Sequence, residues 1–117
     1  MRQPTLLLVE DEPIIALDLQ YELERQGYYV LKAADAAEAL LLSAKHLPNA
    51  AIINFQFKNQ PDGMALARLL RTRYLTKVLF ITGAGPKDLE ASKDFYVGHE
   101  VLYKPFTRRQ LQSFLLP

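Results

Sequence analysis

The chain has 117 residues, half of them hydrophobic and 23% charged, with 14 basic and 13 acidic side chains and a formal charge of +1. Such a length and composition suit one compact domain over residues 1–117 with its own core, and argue against disorder. The near-neutral balance gives no global footprint for nucleic acid or an anionic membrane, and the lack of cysteine excludes disulfides, thiolate metal sites and cysteine nucleophiles while suiting a reducing compartment.

In chain order, the first apolar run, Thr5–Val9, is far too short for a signal-peptide core or a membrane span, and acids follow it at once. The cytosol is therefore the default location. From Leu6 to Val9 the run reads as a buried strand. Pro13 suits the first turn of a helix carrying Ile14, Ile15, Leu17, Leu19 and Leu23, and Gly27 stops it. A second run covers Tyr28–Lys32. Asp35 followed by Glu38 has the form of a capping box, opening a helix from Ala36 to about Lys45 with Pro48 beyond its end.

The third run is Ala50–Ile53. Asp62 is placed to cap a helix from Gly63 to about Tyr74, with Met64, Leu66, Leu69 and Leu70 as its apolar stripe. A fourth run, Val78–Thr82, leads into Gly83 and Gly85, whose freedom makes the next loop pliable. The helix expected from Lys87 to about Tyr96 has a thin stripe of Leu89, Ala91, Phe95 and Tyr96, which predicts the most mobile helix. Val101–Tyr103 is the fifth run, and Thr107 caps a last helix with Leu111, Phe114 and Leu115 inward. Brief, near-continuous apolar strands alternating with helices imply an open parallel sheet covered on both faces.

In such a sheet, ligands bind outside the carboxyl ends of the strands. Here the first strand ends in Glu10, Asp11 and Glu12, the third in Asn54, the fourth in Thr82 and Gly83, and the fifth runs into Lys104 and Pro105. Singly these have ordinary explanations. Acids before a helix favour its dipole, a threonine before glycine is turn chemistry, and a lysine before proline is usually solvated. Four separate strand ends delivering polar groups to one edge point to a functional site.

Leu6–Pro13 (LLLVEDEP), Phe80–Gly83 (FITG) and Tyr103–Phe106 (YKPF) resemble the signature blocks of response-regulator receiver domains, and the resemblance covers essentially the whole chain. Pro61-Asp62-Gly63 fits the insertion-bearing variant of that family's loop, and FITG is close to the F-A-T-G motif of a single-domain subgroup. The resemblance implies a flavodoxin-like (βα)5 doubly wound fold, with strand order 2-1-3-4-5 and helices on both faces. It also implies a magnesium-assisted phosphorylation switch in a two-component system. Asp11 resembles the family's direct magnesium ligand, Glu10 its companion acid acting through water, and the backbone carbonyl of Gln56 a third ligand. Thr82 and Lys104 resemble the groups that contact the phosphate, and Pro105 the family's cis proline.

The aligned phosphoacceptor position holds Asn54. An amide has no nucleophilic oxygen or nitrogen able to form an aspartyl phosphate, and no Asp or Glu lies between Ala50 and Pro61 to replace it. No phosphorylation is expected there, and no enzymatic activity. Magnesium should bind more weakly with one anionic ligand made neutral. Asn54 is expected to donate to the acid pair, with Lys104 offsetting the remaining charge. The sequence leaves open whether Asn54 is natural or an engineered replacement of an acceptor aspartate. Val101 stands where many receivers carry an aromatic reporter, so Tyr103, on the same face by strand alternation, is the candidate interaction residue.

The expected function is a pseudo-receiver acting through protein contacts. Its partners would be a sensor histidine kinase or another signalling protein, or a second copy docked on the face of the fourth helix, fifth strand and last helix. An FMN-binding flavodoxin-like protein is disfavoured because Glu10, Asp11 and Glu12 would repel a phosphate after the first strand, so no organic cofactor is expected. Arg68, Arg71 and Arg73 read as a solvated face, leaving nucleic acid and membrane without support.

Overall fold

In a computed structural model, residues 3–54, 60–82 and 100–115 are described. Along the chain lie β1 (Thr5–Val9), α1 (Pro13–Arg25), β2 (Tyr29–Ala33), α2 (Ala36–His46), β3 (Ala50–Asn54), α3 (Gln60–Arg73), β4 (Lys77–Thr82), β5 (Glu100–Tyr103) and a C-terminal helix, Arg108–Leu115. The strands form one parallel sheet in the order β2-β1-β3-β4-β5. This is the doubly wound, flavodoxin-like α/β architecture. The helix expected over Lys87–Tyr96 lies outside the described residues, as do Gly83 and Gly85.

Strand alternation sorts the apolar runs onto two cores. Leu7, Val9, Ala51, Ile53, Val78 and Phe80 face α2 and α3, against Ala39, Leu66 and Leu70. Leu6, Leu8, Ile52, Leu79 and Ile81 face the other way, against Leu23, Leu111 and Phe114. Burial on both faces is what makes β1 and β3 apolar at successive positions, and each fully buried Leu or Ile contributes about 1.5–3 kcal/mol.

The caps follow local chemistry. Asp35 accepts from Glu38 N at 2.8 Å and Glu38 Oε1 from Ala34 N at 3.3 Å, so the box closes one residue earlier than the simple pattern. At the C-terminal helix, Gln110 N donates to Thr107 Oγ1 at 3.1 Å while Gln110 Oε1 accepts from Thr107 N at 2.8 Å.

Two local expectations are corrected. First, β2 runs from Tyr29 to Ala33 rather than from Tyr28, because Tyr28 N–H closes the end of α1 on Leu23 O. Second, Asp62 falls inside the first turn of α3 rather than at its cap, since the helix starts at Gln60 and Pro61 suits a first turn that needs no N–H donor. On α1, Ile14 and Leu17 point to solvent. Ala16 and Leu23 turn α1 toward the sheet, which puts positions 14, 17 and 21 on the opposite side.

Two helices end on residues with left-handed backbones that are not glycine: Leu47 (φ 48°) after α2 and Leu75 (φ 55°) after α3. Thr76 N–H reaches back to Leu70 O and Leu47 N–H to Ser43 O, satisfying carbonyls at the helix ends. A side chain there costs about 1 kcal/mol relative to glycine.

Candidate functional site

The carboxyl ends of β1, β3, β4 and β5 bring Glu10, Asn54, Thr82 and Lys104 to one edge of the sheet. Because β1, β3 and β4 are adjacent and parallel, residues 10 and 54 fall at the same level, beside Ile81, with Thr82 one residue further along. Glu10, Asn54 and Thr82 are buried, Lys104 is half-buried and Asp11 is exposed. Lys104 N–H donates to Thr82 O at 2.9 Å, extending the ladder one residue past β5, and the Lys104–Pro105 peptide is cis.

The acid cluster divides its work. Glu10 N–H donates to Ala33 O at 2.9 Å, and its Oε1 accepts from Glu12 N at 2.9 Å. Glu12 caps α1, its Oε1 accepting from Ile14 N at 3.5 Å. The helix-dipole explanation therefore holds for Glu12, while Glu10 turns into the buried edge and Asp11 faces solvent.

Lys104 Nζ donates to Asn54 Oδ1 at 3.4 Å, across fifty residues of chain. The expected donation from Asn54 to the acid pair is not formed: among the described residues, Asn54 Nδ2 and Glu10 Oε2 have no hydrogen-bond partner. The amide still lies close enough to favour the charged form of Glu10. Burial wins over that help and raises the Glu10 pKa, with the neighbouring Asp11 adding to the rise and the Glu12 N–H opposing it. Burial also lowers the Lys104 pKa, and the charge of Glu10 pulls it back. Both ionic groups are pressed toward neutrality.

The expected site residues divide plainly. The fold brings Glu10, Asn54, Thr82, Lys104 and Pro105 to one edge, with Asp11 at its rim. Gln56 lies outside the described residues. Val101 is half-buried against the α2–α3 core, whereas Tyr103 on the same face is exposed. The direct Lys104–Asn54 contact is what sequence reasoning missed; the one available signal was that both residues close strands flanking β4.

The response-regulator receiver domain family matches this chain over residues 6–115. The chain belongs to that family. It is 32% identical over 116 residues to the aerobic respiration control protein ArcA of Escherichia coli, covering 95% of this chain and 46% of that protein. It is 34% identical over 120 residues to the transcriptional regulatory protein AruR of Pseudomonas aeruginosa, covering 94% and 47%. The chain thus spans about half the length of the curated relatives it matches. Among solved structures it is similar to a response regulator receiver domain protein from Clostridium thermocellum, with a TM-score of 0.78, 25% identity, and 96% and 90% of the two chains covered. It is also similar to the chemotaxis response regulator CheY4 of Vibrio cholerae, with a TM-score of 0.74, 26% identity, and 97% of each chain covered.

The receiver thus carries Asn54 where the family has its phospho-accepting aspartate. Receiver domains are signalling modules rather than catalytic enzymes. Among the described residues, no group of three or more Asp, Glu or His side chains is placed to hold a metal ion. Nor is any helix among them long and apolar enough to cross a membrane.

Proposed function

We propose that this receiver is a single signalling unit over 1–117 that works without phosphorylation, holding one conformation for a partner protein to read. The observation that carries this reading is Asn54: fully buried at the end of β3, its Oδ1 is engaged by Lys104, and it has no nucleophilic atom to offer a phosphoryl donor. The lysine that would pair with a phosphate already has an internal acceptor.

Magnesium fits this edge poorly but not hopelessly. Glu10 and Asp11 would supply its carboxylates, and Gln56 its backbone carbonyl. The ion would screen the acids when bound, as a hard cation does among oxygens. With a neutral amide at position 54, affinity falls. No organic cofactor is called for, and the cytoplasm is the compartment we assign.

Tyr103 offers an exposed aromatic on β5, at the face we assign to a sensor histidine kinase or another signalling protein, with a second copy as the alternative occupant. Thr82, Lys104 and Pro105 connect that face to the buried edge. Intact mass after incubation with acetyl phosphate and magnesium tests the central claim. The natural protein should stay unmodified while Asn54→Asp gains a phosphoryl group; an adduct on both proteins would overturn the reading.

A further inference from the structure

Asn54 ends β3 and Lys104 follows β5, on either side of β4, yet Lys104 Nζ lies 3.4 Å from Asn54 Oδ1. Cγ, the carbon that an amine attacks, is bonded to that oxygen. Asn54 is fully buried, and its Nδ2 has no hydrogen-bond partner among the described residues. Beside the pair stands Glu10, 4% exposed, whose Oε2 is likewise unpartnered among them. Its side chain bears on both the Asn54 amide and the Lys104 charge. An amine, a carboxamide and a carboxylate thus meet where the amide and the acid are shut off from water.

A primary amide persists in water because its carbonyl is a poor electrophile and its nitrogen a poor leaving group. Three features of this edge act against that persistence. A lysine amine is a nucleophile toward carbonyl carbons. Holding it on one carbonyl replaces a bimolecular encounter with an intramolecular step, equivalent to an effective concentration of about 10⁵ M or more where the geometry allows attack. Burial of the amide keeps out the water that would otherwise compete. A carboxylate close by can carry protons from the attacking nitrogen to the departing one.

We infer that the folded chain slowly joins Lys104 Nζ to Asn54 Cγ as an amide, with Glu10 carrying protons between the two nitrogens. The Nζ–Cγ bond forms and the Cγ–Nδ2 bond breaks. Nζ gives up two protons, and both end on Nδ2, which leaves as ammonium. The lysine's positive charge departs with it, and no oxidant or other co-reactant is needed. The product ties the end of β3 to the end of β5 and closes residues 54–104 into a covalent ring. This rests on the reading of position 54 as an amide that accepts no phosphoryl group, and deepens it: a bond then holds the one conformation.

Intact mass of the natural chain, read before any phosphoryl donor is added and followed over several weeks in the folded state, tests this. The mass should fall by about 17 Da, that of the ammonia lost to the amine. Proteolysis should then release a branched peptide joining the segments around positions 54 and 104. A denatured sample held in parallel should show no such loss, since the reaction depends on the fold. Lys104→Met should keep its full mass, which separates the cross-link from ammonia loss within position 54 alone. Glu10→Gln should lose ammonia roughly tenfold more slowly or worse. The branched peptide decides the matter even if a variant fails to fold. A natural chain at full mass throughout, a loss that survives Lys104→Met, or one as fast in Glu10→Gln would each overturn the inference. Full mass without a phosphoryl adduct leaves the proposed function standing, whereas an adduct overturns that function whatever the state of Lys104.

Discussion

The two edges of the sheet break the rule of apolar inside and polar outside in opposite directions. At the carboxyl edge Glu10, Asn54 and Thr82 are buried, and atoms of Glu10 and Asn54 lack hydrogen-bond partners among the described residues. At the amino edge Leu47 and Leu75 are exposed on left-handed backbone. Between them the strands obey the rule almost without exception. Burying a polar group without a partner costs about 1–3 kcal/mol, and a left-handed leucine about 1 kcal/mol, so neither edge is what stability alone would select. The difference teaches where to look for function: one edge keeps buried polar groups, the other exposed apolar side chains.

The largest expected effect comes from Asn54→Asp. It adds a buried charge beside Glu10 that one lysine cannot fully offset, and should lower stability by about 1–2 kcal/mol in metal-free buffer. Magnesium should restore that loss in the variant by binding only the folded state, and should do little for the natural protein. Urea midpoints with and without the metal read both. A variant more stable than its parent in chelator would show that Lys104 wins over the acids.

At the opposite edge, Leu75→Gly should stabilise the fold by about 0.5–1 kcal/mol, and Leu47→Gly similarly, although each removes a large apolar side chain. Thermal melts would show the gain. Destabilisation at either position would mean that the leucine packs within its own chain, and the contrast between edges would weaken.

The smallest effect concerns pH. Burial raises the Glu10 pKa in the folded state, so its contribution to stability is fully present below the ordinary carboxylate range and is lost as pH rises through the raised folded value. Glu10→Gln keeps an acceptor for Glu12 N–H and removes that loss. Its melting temperature, followed from about pH 4 to 8, should fall less with rising pH than the parent's. Equal slopes would show that Glu10 titrates as it does in the unfolded chain.

Much of this was legible in the residues themselves. Strand positions follow from apolar runs, because a strand covered on both faces has no polar side to show. Caps at Asp35 and Thr107 follow from local hydrogen bonding, which needs only a few residues of chain. The polar strand ends also told their story early, since parallel topology forces them to one edge. Periodicity left the orientation of α1 open: a helix with apolar residues on two sides does not state which side meets the sheet, and Ala16 and Leu23 decided it by packing.

By itself, then, the sequence determined the alternating elements, the chemistry collected at the carboxyl edge and the loss of a nucleophile at position 54. Each of these is local, or is a property of residue type. Only the tertiary structure decided that Lys104 reaches Asn54 and that Glu10 rather than Glu12 turns inward. Those outcomes depend on which side chains the two cores admit and how far apart the remaining ones are left, and both quantities exist only once the chain has packed.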